Sequence, residues 1–201
     1  MRKLSRESFP HMINSIARMS NSIWHTCCAR LAASWWKVEL GDHCTFSGRP
    51  RFRRHPGSRI AIGINCKFNS SPASNLIGVN RPCILSTLKP DAEIRIGTGC
   101  GFSGTVIGCA KKIIIGDNVR CGANTLITDT DWHSNDPRTG PDAPVIIENN
   151  VWLGVNVTVL KGVTIGEGTI VGAGSLVTRS LPPGVSAAGI PAKVLKRIAC
   201  S

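Results

Sequence analysis

Every sixth residue from Ile147 to Val177 is aliphatic: Ile147, Leu153, Val159, Ile165, Val171 and Val177. Two positions before each stand Val145, Val151, Val157, Val163, Thr169 and Ser175, and glycine follows at Gly154, Gly166 and Gly172. A period of six fits neither the 3.6 of a helix nor the simple alternation of a strand. Three steps make eighteen residues, one coil of a triangular parallel β-helix. In such a coil each short strand turns one side chain inward, and equivalent residues of successive coils stack.

The coil continues upstream when an anchor aliphatic is taken with the residues four and six further on. The sets are Leu40–Cys44–Phe46, Ile62–Cys66–Phe68, Ile96–Cys100–Phe102, Ile115–Val119–Cys121, Ile147–Val151–Leu153 and Ile165–Thr169–Val171. Gly41, Gly63, Gly97, Gly116 and Gly166 follow their anchors, and Glu148 breaks the column. Glycine here is expected to relieve crowding at a corner, often with positive φ. The columns also explain cysteines: Cys44, Cys66 and Cys100 share the inward position of Val119 and Val151 and read as small core hydrophobes.

Anchor spacings of 22, 34, 19, 32 and 18 show where the coil is interrupted. The step from Ile115 to Ile147 exceeds eighteen by fourteen residues, which places a polar, proline-containing loop around Thr128 to Pro144. A long loop on a rigid scaffold is where function is expected. Phe9, Met12, Ile13, Ile16, Met19 and Ile23 fall at helical spacing, so one or two amphipathic helices are expected over residues 8–36, capping the open end of the first coil. The expected organisation is an N-terminal helical cap (1–37), a β-helix (38–178) with its insertion near 128–144, and a C-terminal tail (179–201).

The chain has 201 residues and a net charge of +12. A basic surplus favours polyanionic partners without choosing among them. Arg2, Lys3, Arg6, Arg18 and Arg30 accompany the helical segment, which admits membrane-surface association. Arg49, Arg51, Arg53, Arg54 and Arg59 form a second cluster, read either as a solvated face or as attraction for an acidic or lipid-diphosphate-linked acceptor. No nucleic-acid recognition motif accompanies the charge, so no nucleic-acid partner is expected. Nine cysteines without a CxxC pair suggest neither a disulfide framework nor a zinc site, and a cytoplasmic location is the simple reading. The apolar stretch from Ser22 to Trp36 is too short and too interrupted to span a bilayer.

The stretches IIIGDNVRCGANTLITDTDWH (113–133), VWLGVNVTVLKGVTIGEGTIVGAGSLVT (151–178) and AGIPAKVLKR (188–197) resemble the hexapeptide-repeat acyltransferases. Within them the likeness is greatest to the galactoside, maltose and xenobiotic acetyltransferases and the polysaccharide-biosynthesis O-acetyltransferases. The resemblance implies an all-β fold, a left-handed parallel β-helix, with an N-terminal helical segment and a C-terminal tail. Its handedness comes from the likeness alone, since ordinary parallel crossovers are right-handed. It implies transfer of an acetyl group from acetyl-CoA to a saccharide hydroxyl, no metal, and a homotrimer with coenzyme A in grooves between subunits.

Of five histidines only His133 lies in the inserted loop, and it matches the family's catalytic histidine. An alcohol is a weak nucleophile, and imidazole is suited to take its proton near neutrality. Asp129 and Asp131 are each read as orienting the ring, contacting the acceptor or forming a turn, with Asp131 slightly favoured. Trp152 should point outward between Val151 and Leu153 and line the acyl pocket or pack beneath the loop. Ser103, with Phe102 and Gly104, stands where some sugar acetyltransferases carry an asparagine for the sugar hydroxyl. Asn124 belongs either to the acceptor pocket or to a turn. For coenzyme A the resemblance implies Gly154, Gly172, Ala173, Thr178, Arg179, Lys193 and Lys196, while Val155 departs from the smaller residue often found there.

Rival readings are transfer to an amine, a metal-dependent carbonic anhydrase on the same helix, and a non-catalytic β-helix. The second would need three converging histidines, and His43, His55 and His133 hold dissimilar repeat positions. The third would be marked by flat threonine ladders, which the sequence lacks.

Overall fold

The computed structural model of the chain describes residues 8–133 and 136–198, with helix side chains from Asn21 onward. Arg2, Lys3, Arg6, Cys200 and the side chains of Phe9, Met12, Ile13, Ile16, Met19 and Arg18 lie outside the described residues.

Short strands stack on three faces of a left-handed parallel β-helix. The first face is six-stranded and runs from Glu39–Leu40 through Arg59–Ile62, Glu93–Ile96, Lys112–Ile115 and Val145–Ile147 to Thr164–Ile165. The third, also six-stranded, runs from Arg51–Arg53 to Leu176–Val177. The second is eight-stranded: after Ile170–Val171 it adds Val185–Gly189 in parallel and Ala192–Arg197 in antiparallel. The register joins the columns read from the sequence. Leu40, Ile62, Ile96, Ile115, Ile147 and Ile165 are successive partners. So are Phe46, Phe68, Phe102, Cys121, Leu153 and Val171.

The inward columns form one continuous apolar core. Phe46, Phe68 and Phe102 stack with centroids 4.9 Å apart, and Phe52 meets Phe46 edge-on at 6.4 Å. Replacing Phe68 by alanine, in the middle of this stack, is expected to cost about 3–5 kcal/mol in urea unfolding. The cysteine column is buried as expected, each thiol donating to a carbonyl of the next coil: Cys44 to Gly63, Cys66 to Gly97 and Cys100 to Gly116, at 3.1–3.2 Å. The thiol of Cys66, beside the Cys100 thiol of the next coil and buried, is pushed up to about 11, far from a reactive thiolate.

The glycine column relieves crowding, as expected, but without the positive φ. None of Gly41, Gly63, Gly97, Gly116 and Gly166 has positive φ. A Cβ on Gly63 would stand 2.6 Å from the Gly97 carbonyl oxygen, so the constraint is the close approach of stacked backbones. Positive φ falls two residues later, at His43, Asn65, Gly99, Asn118, Asn150 and Gly168. That explains the asparagines, which tolerate this region, and assigns His43 a turn position.

A single helix, Ser8–Trp35, closes the first coil. Ala29 and Ala33 enter the core, and polar side chains replace the missing strand. Thr26 Oγ1 accepts from the Phe46 N–H at 3.0 Å, His25 Nδ1 accepts from the Gly48 N–H at 3.1 Å, and Ser22 Oγ donates to the Phe46 carbonyl at 3.3 Å. Backbone groups of an end strand need such partners once water is excluded.

Two loops leave the coil. One joins Leu126–Thr128 to Val145–Ile147, as the spacing indicates, on the edge between the third and first faces. The other, residues 70–83, accounts for the 34-residue anchor step and leaves the edge between the second and third faces.

Candidate active site

His133 stands on the first loop, exposed, beside a cavity of about 190 Å³ lined with Lys89, Asp131, Trp132, Thr139 and Asp142 among others. Its carbonyl accepts from the Asp136 N–H at 2.9 Å and the Thr139 hydroxyl at 3.3 Å. Three ion pairs brace the loop: Lys161–Asp131 at 2.6 Å, Lys89–Asp142 at 2.5 Å and Arg138–Asp136 at 2.5 Å. Trp132, absent from the expected site, fixes the approach to His133. Its φ is +68°, costly for a bulky residue, and its ring lies so close over Gly108 that a Cβ there would approach within 2.3 Å. Its indole N–H donates to Thr128 Oγ1 at 3.1 Å. The ring thus holds the backbone in the left-handed region immediately before the histidine.

Partners from other coils hold two loop carboxylates. Asp131 was expected to orient the imidazole, but its Oδ2 accepts from Lys161 Nζ at 2.6 Å and from the Gly140 N–H at 3.2 Å. The Lys161 ammonium holds this carboxyl below its usual range. Among the described residues no hydrogen bond joins it to His133, so Asp131 braces the loop. Asp129, read as an acceptor contact, an orienting group or a turn former, is 0% exposed, which favours the last. Its carboxylate accepts from the N–H groups of Ala110 (2.6 Å), Lys111 (2.8 Å) and Lys112 (2.6 Å) and from the Cys109 thiol (3.3 Å). Nothing is left for a substrate, and the residue is the structural root of the loop.

A groove of about 580 Å³ lies on the second face and its edge with the third. It brings together Ser103, Trp152, Gly154, Gly172 and Ala173. Trp152 is 55% exposed between fully buried Val151 and Leu153, as expected, but it borders this groove and not the His133 loop. Ser103 Oγ accepts from the amides of Asn69 and Asn75 at 3.2 Å each. Of the two readings of Asn124, its contacts favour the turn. It has φ +60°, its Oδ1 accepts from the Asn80 N–H at 3.2 Å, and its amide donates to the Gly78 carbonyl at 2.8 Å, pinning the second loop.

Lys67, Arg120 and Asn75 also line the groove and were missed. A signal existed for the first two: Lys67, Arg120 and Trp152 each stand five residues after an anchor and share one outward column with Gly101. Asn75 belongs to the loop behind the 34-residue step.

The expected coenzyme set does not gather in one chain. Gly154, Gly172 and Ala173 lie in the groove. Thr178 and Arg179 are exposed on the His133 edge, and Lys193 and Lys196 are exposed on the last strand of the second face. The His133 loop lies on the edge opposite the second face, so one chain does not bring His133 and Trp152 together.

Residues 144–179 match the family of bacterial transferase hexapeptides (six repeats). Galactoside O-acetyltransferase of Escherichia coli K12 is 41% identical over 90 residues, covering 43% of this chain and 44% of that protein. Galactoside O-acetyltransferase of Lactococcus lactis is 40% identical over 144 residues, covering 68% of this chain and 62% of that one. The chain spans about half the length of the curated relatives it matches. Among solved structures, the polysialic acid O-acetyltransferase OatWY has the same fold, with a TM-score of 0.57 at 22% identity over 82% of this chain and 84% of that one. By its repeat, its coil and these relatives, the chain carries the bacterial transferase hexapeptide repeat and is similar to the galactoside O-acetyltransferases.

Proposed function

We propose that the protein is an acetyl-CoA-dependent O-acetyltransferase acting on a saccharide hydroxyl, with a role in surface polysaccharide synthesis on the cytoplasmic side. The observation that carries this reading is a lone histidine on a braced loop, paired with an open groove of small residues beside Trp152 on the opposite side of the prism. The named relatives act in the same sense, transferring acetyl groups to sugar oxygens.

His133 takes the proton from the acceptor hydroxyl as it attacks and returns one to the departing sulfur. Acetyl-CoA supplies the activated acyl group, and the carbon–sulfur bond breaks as the carbon–oxygen bond forms. At Gly154, Gly172 and Ala173 the groove wall carries nothing larger than a methyl, which leaves room there for an extended arm beside Trp152 and Val155. Arg179, Lys193 and Lys196 would meet the phosphates as flexible point charges. No acyl-enzyme is required: Cys44, Cys66, Cys83, Cys100, Cys109 and Cys121 are buried, and Cys27 and Cys28, on the helix, line neither the groove nor the His133 cavity.

Because His133 and the groove lie on opposite sides, the site is complete when the loop of one copy meets the groove of the next, as in a homotrimer. His133→Ala and Ala173→Trp chains should each be inactive alone. Mixed after co-expression, they should regain measurable activity, since some interfaces then pair an intact histidine with an intact groove. Mixtures as dead as the parents would refute a shared site. Amine acceptors assayed in parallel decide between O- and N-transfer.

Replacing Lys193 and Lys196 with alanine should raise KM for acetyl-CoA more than KM for the acceptor. The effect should shrink with salt, because exposed charges are screened beyond about 10 Å at 0.1 M. Unchanged acetyl-CoA kinetics would remove the tail from the coenzyme site.

A further inference from the structure

From Asn21 onward the helix Ser8–Trp35 has two apolar faces, and only one of them is packed against the coil. Ala29 and Ala33 enter the core, and Ser22, His25 and Thr26 bond the first coil from the same side. On the opposite side Trp24 is 61% exposed, Leu31 72% and Trp35 83%, with Ile23 alongside at 64%. At 3.6 residues per turn Trp24, Leu31 and Trp35 fall within roughly 40° of one another, one continuous stripe. Three large side chains so aligned on a helix already packed by its other face need a separate explanation.

The surroundings of the stripe are cationic. The first 59 residues hold eleven of the 24 lysines and arginines and only three of the 12 acidic residues. The helix itself carries Arg18 and Arg30 and no acidic residue. Trp36 continues the apolar surface past the helix end, where it borders a cavity of about 520 Å³ with Arg51 and Arg53. Among the described residues neither arginine is paired with a carboxylate, and nor are Arg30, Lys37 or Arg49, whereas Arg59 pairs with Glu39 and Glu93. The same cavity reaches Trp132, the neighbour of His133.

From this combination we propose that the outward face of the helix docks the protein on the surface of an anionic lipid bilayer. Tryptophan favours the boundary between headgroups and acyl chains, and basic residues beside it add attraction to anionic lipid. A second copy is the poorer occupant, because two such faces would bring cations together with no carboxylate on the helix to pair them. The helix lies on the membrane and does not cross it: no helix among the described residues is long and apolar enough to span one. The cavity from Trp36 to Trp132 then opens toward the lipid, so an acceptor carried by the membrane can reach the loop.

The full chain should co-sediment with vesicles of phosphatidylcholine and phosphatidylglycerol, stay in solution with phosphatidylcholine alone, and be released by salt. The triple variant Trp24→Glu, Leu31→Glu, Trp35→Glu should bind anionic vesicles at least roughly tenfold more weakly. Its far-UV spectrum and elution volume should match the parent, because these side chains leave the core untouched. A second variant, Arg51→Glu with Arg53→Glu, should weaken binding while the stripe is intact. Three results would overturn the proposal: no binding to anionic vesicles at low salt, undiminished binding by the triple variant, or a changed oligomeric state in that variant, which would make the stripe a contact between copies.

Discussion

Replacing His133 with alanine lowers kcat by about 10²–10⁴, the usual cost of removing a general base, and leaves coenzyme A affinity nearly intact. The structure makes this separation testable. The His133 side chain is exposed, and the hydrogen bonds that hold its segment run to its carbonyl, which alanine keeps. Trp132 and the Lys161–Asp131 pair brace the loop independently of the imidazole. Thermal stability of the variant should therefore match the parent while turnover collapses. Full activity in the alanine variant, or an acyl group trapped covalently on a cysteine, would overturn direct transfer through His133.

Replacing Asp129 with alanine gives the opposite pattern, a loss of stability first and of activity as its consequence. Three N–H groups, those of Ala110, Lys111 and Lys112, converge on one fully buried carboxylate. Removing it strands these donors away from water, at about 1–3 kcal/mol each. The total should be at least about 3 kcal/mol, which lowers Tm by roughly 6–12 °C in a chain of this size. Asparagine should rescue only part of this, because its amide nitrogen turns a donor toward donors. The Asp129 N–H and carbonyl also tie the loop root to Gly108 and Ala143, so loop order should suffer with stability. An unchanged Tm with a raised KM for the acceptor would return Asp129 to the binding site.

The contrast between these two residues shows what the sequence can and cannot distinguish. His133 and Asp129 lie four positions apart in one polar loop. Nothing in their neighbours tells that one carboxylate is consumed by a turn around residues 109–112 while the imidazole is free. That turn belongs to the preceding coil, brought alongside only by stacking. Asp131 was misjudged for the same reason: its partner Lys161 is thirty residues away. Lys67 and Arg120 were legible in principle, since the repeat that identifies inward columns identifies outward ones too.

By itself the sequence determined the coil, its register, the inward columns including the cysteines, and the edge from which the His133 loop leaves. These follow from a periodic pattern, because burial repeats wherever the chain repeats. The tertiary structure alone decided why the glycines are there, which loop carboxylates are structural, and that the histidine and the groove face away from each other in one chain. Those depend on atoms of different coils meeting across a corner, and a linear period carries no record of which side of the prism a departure from it will face.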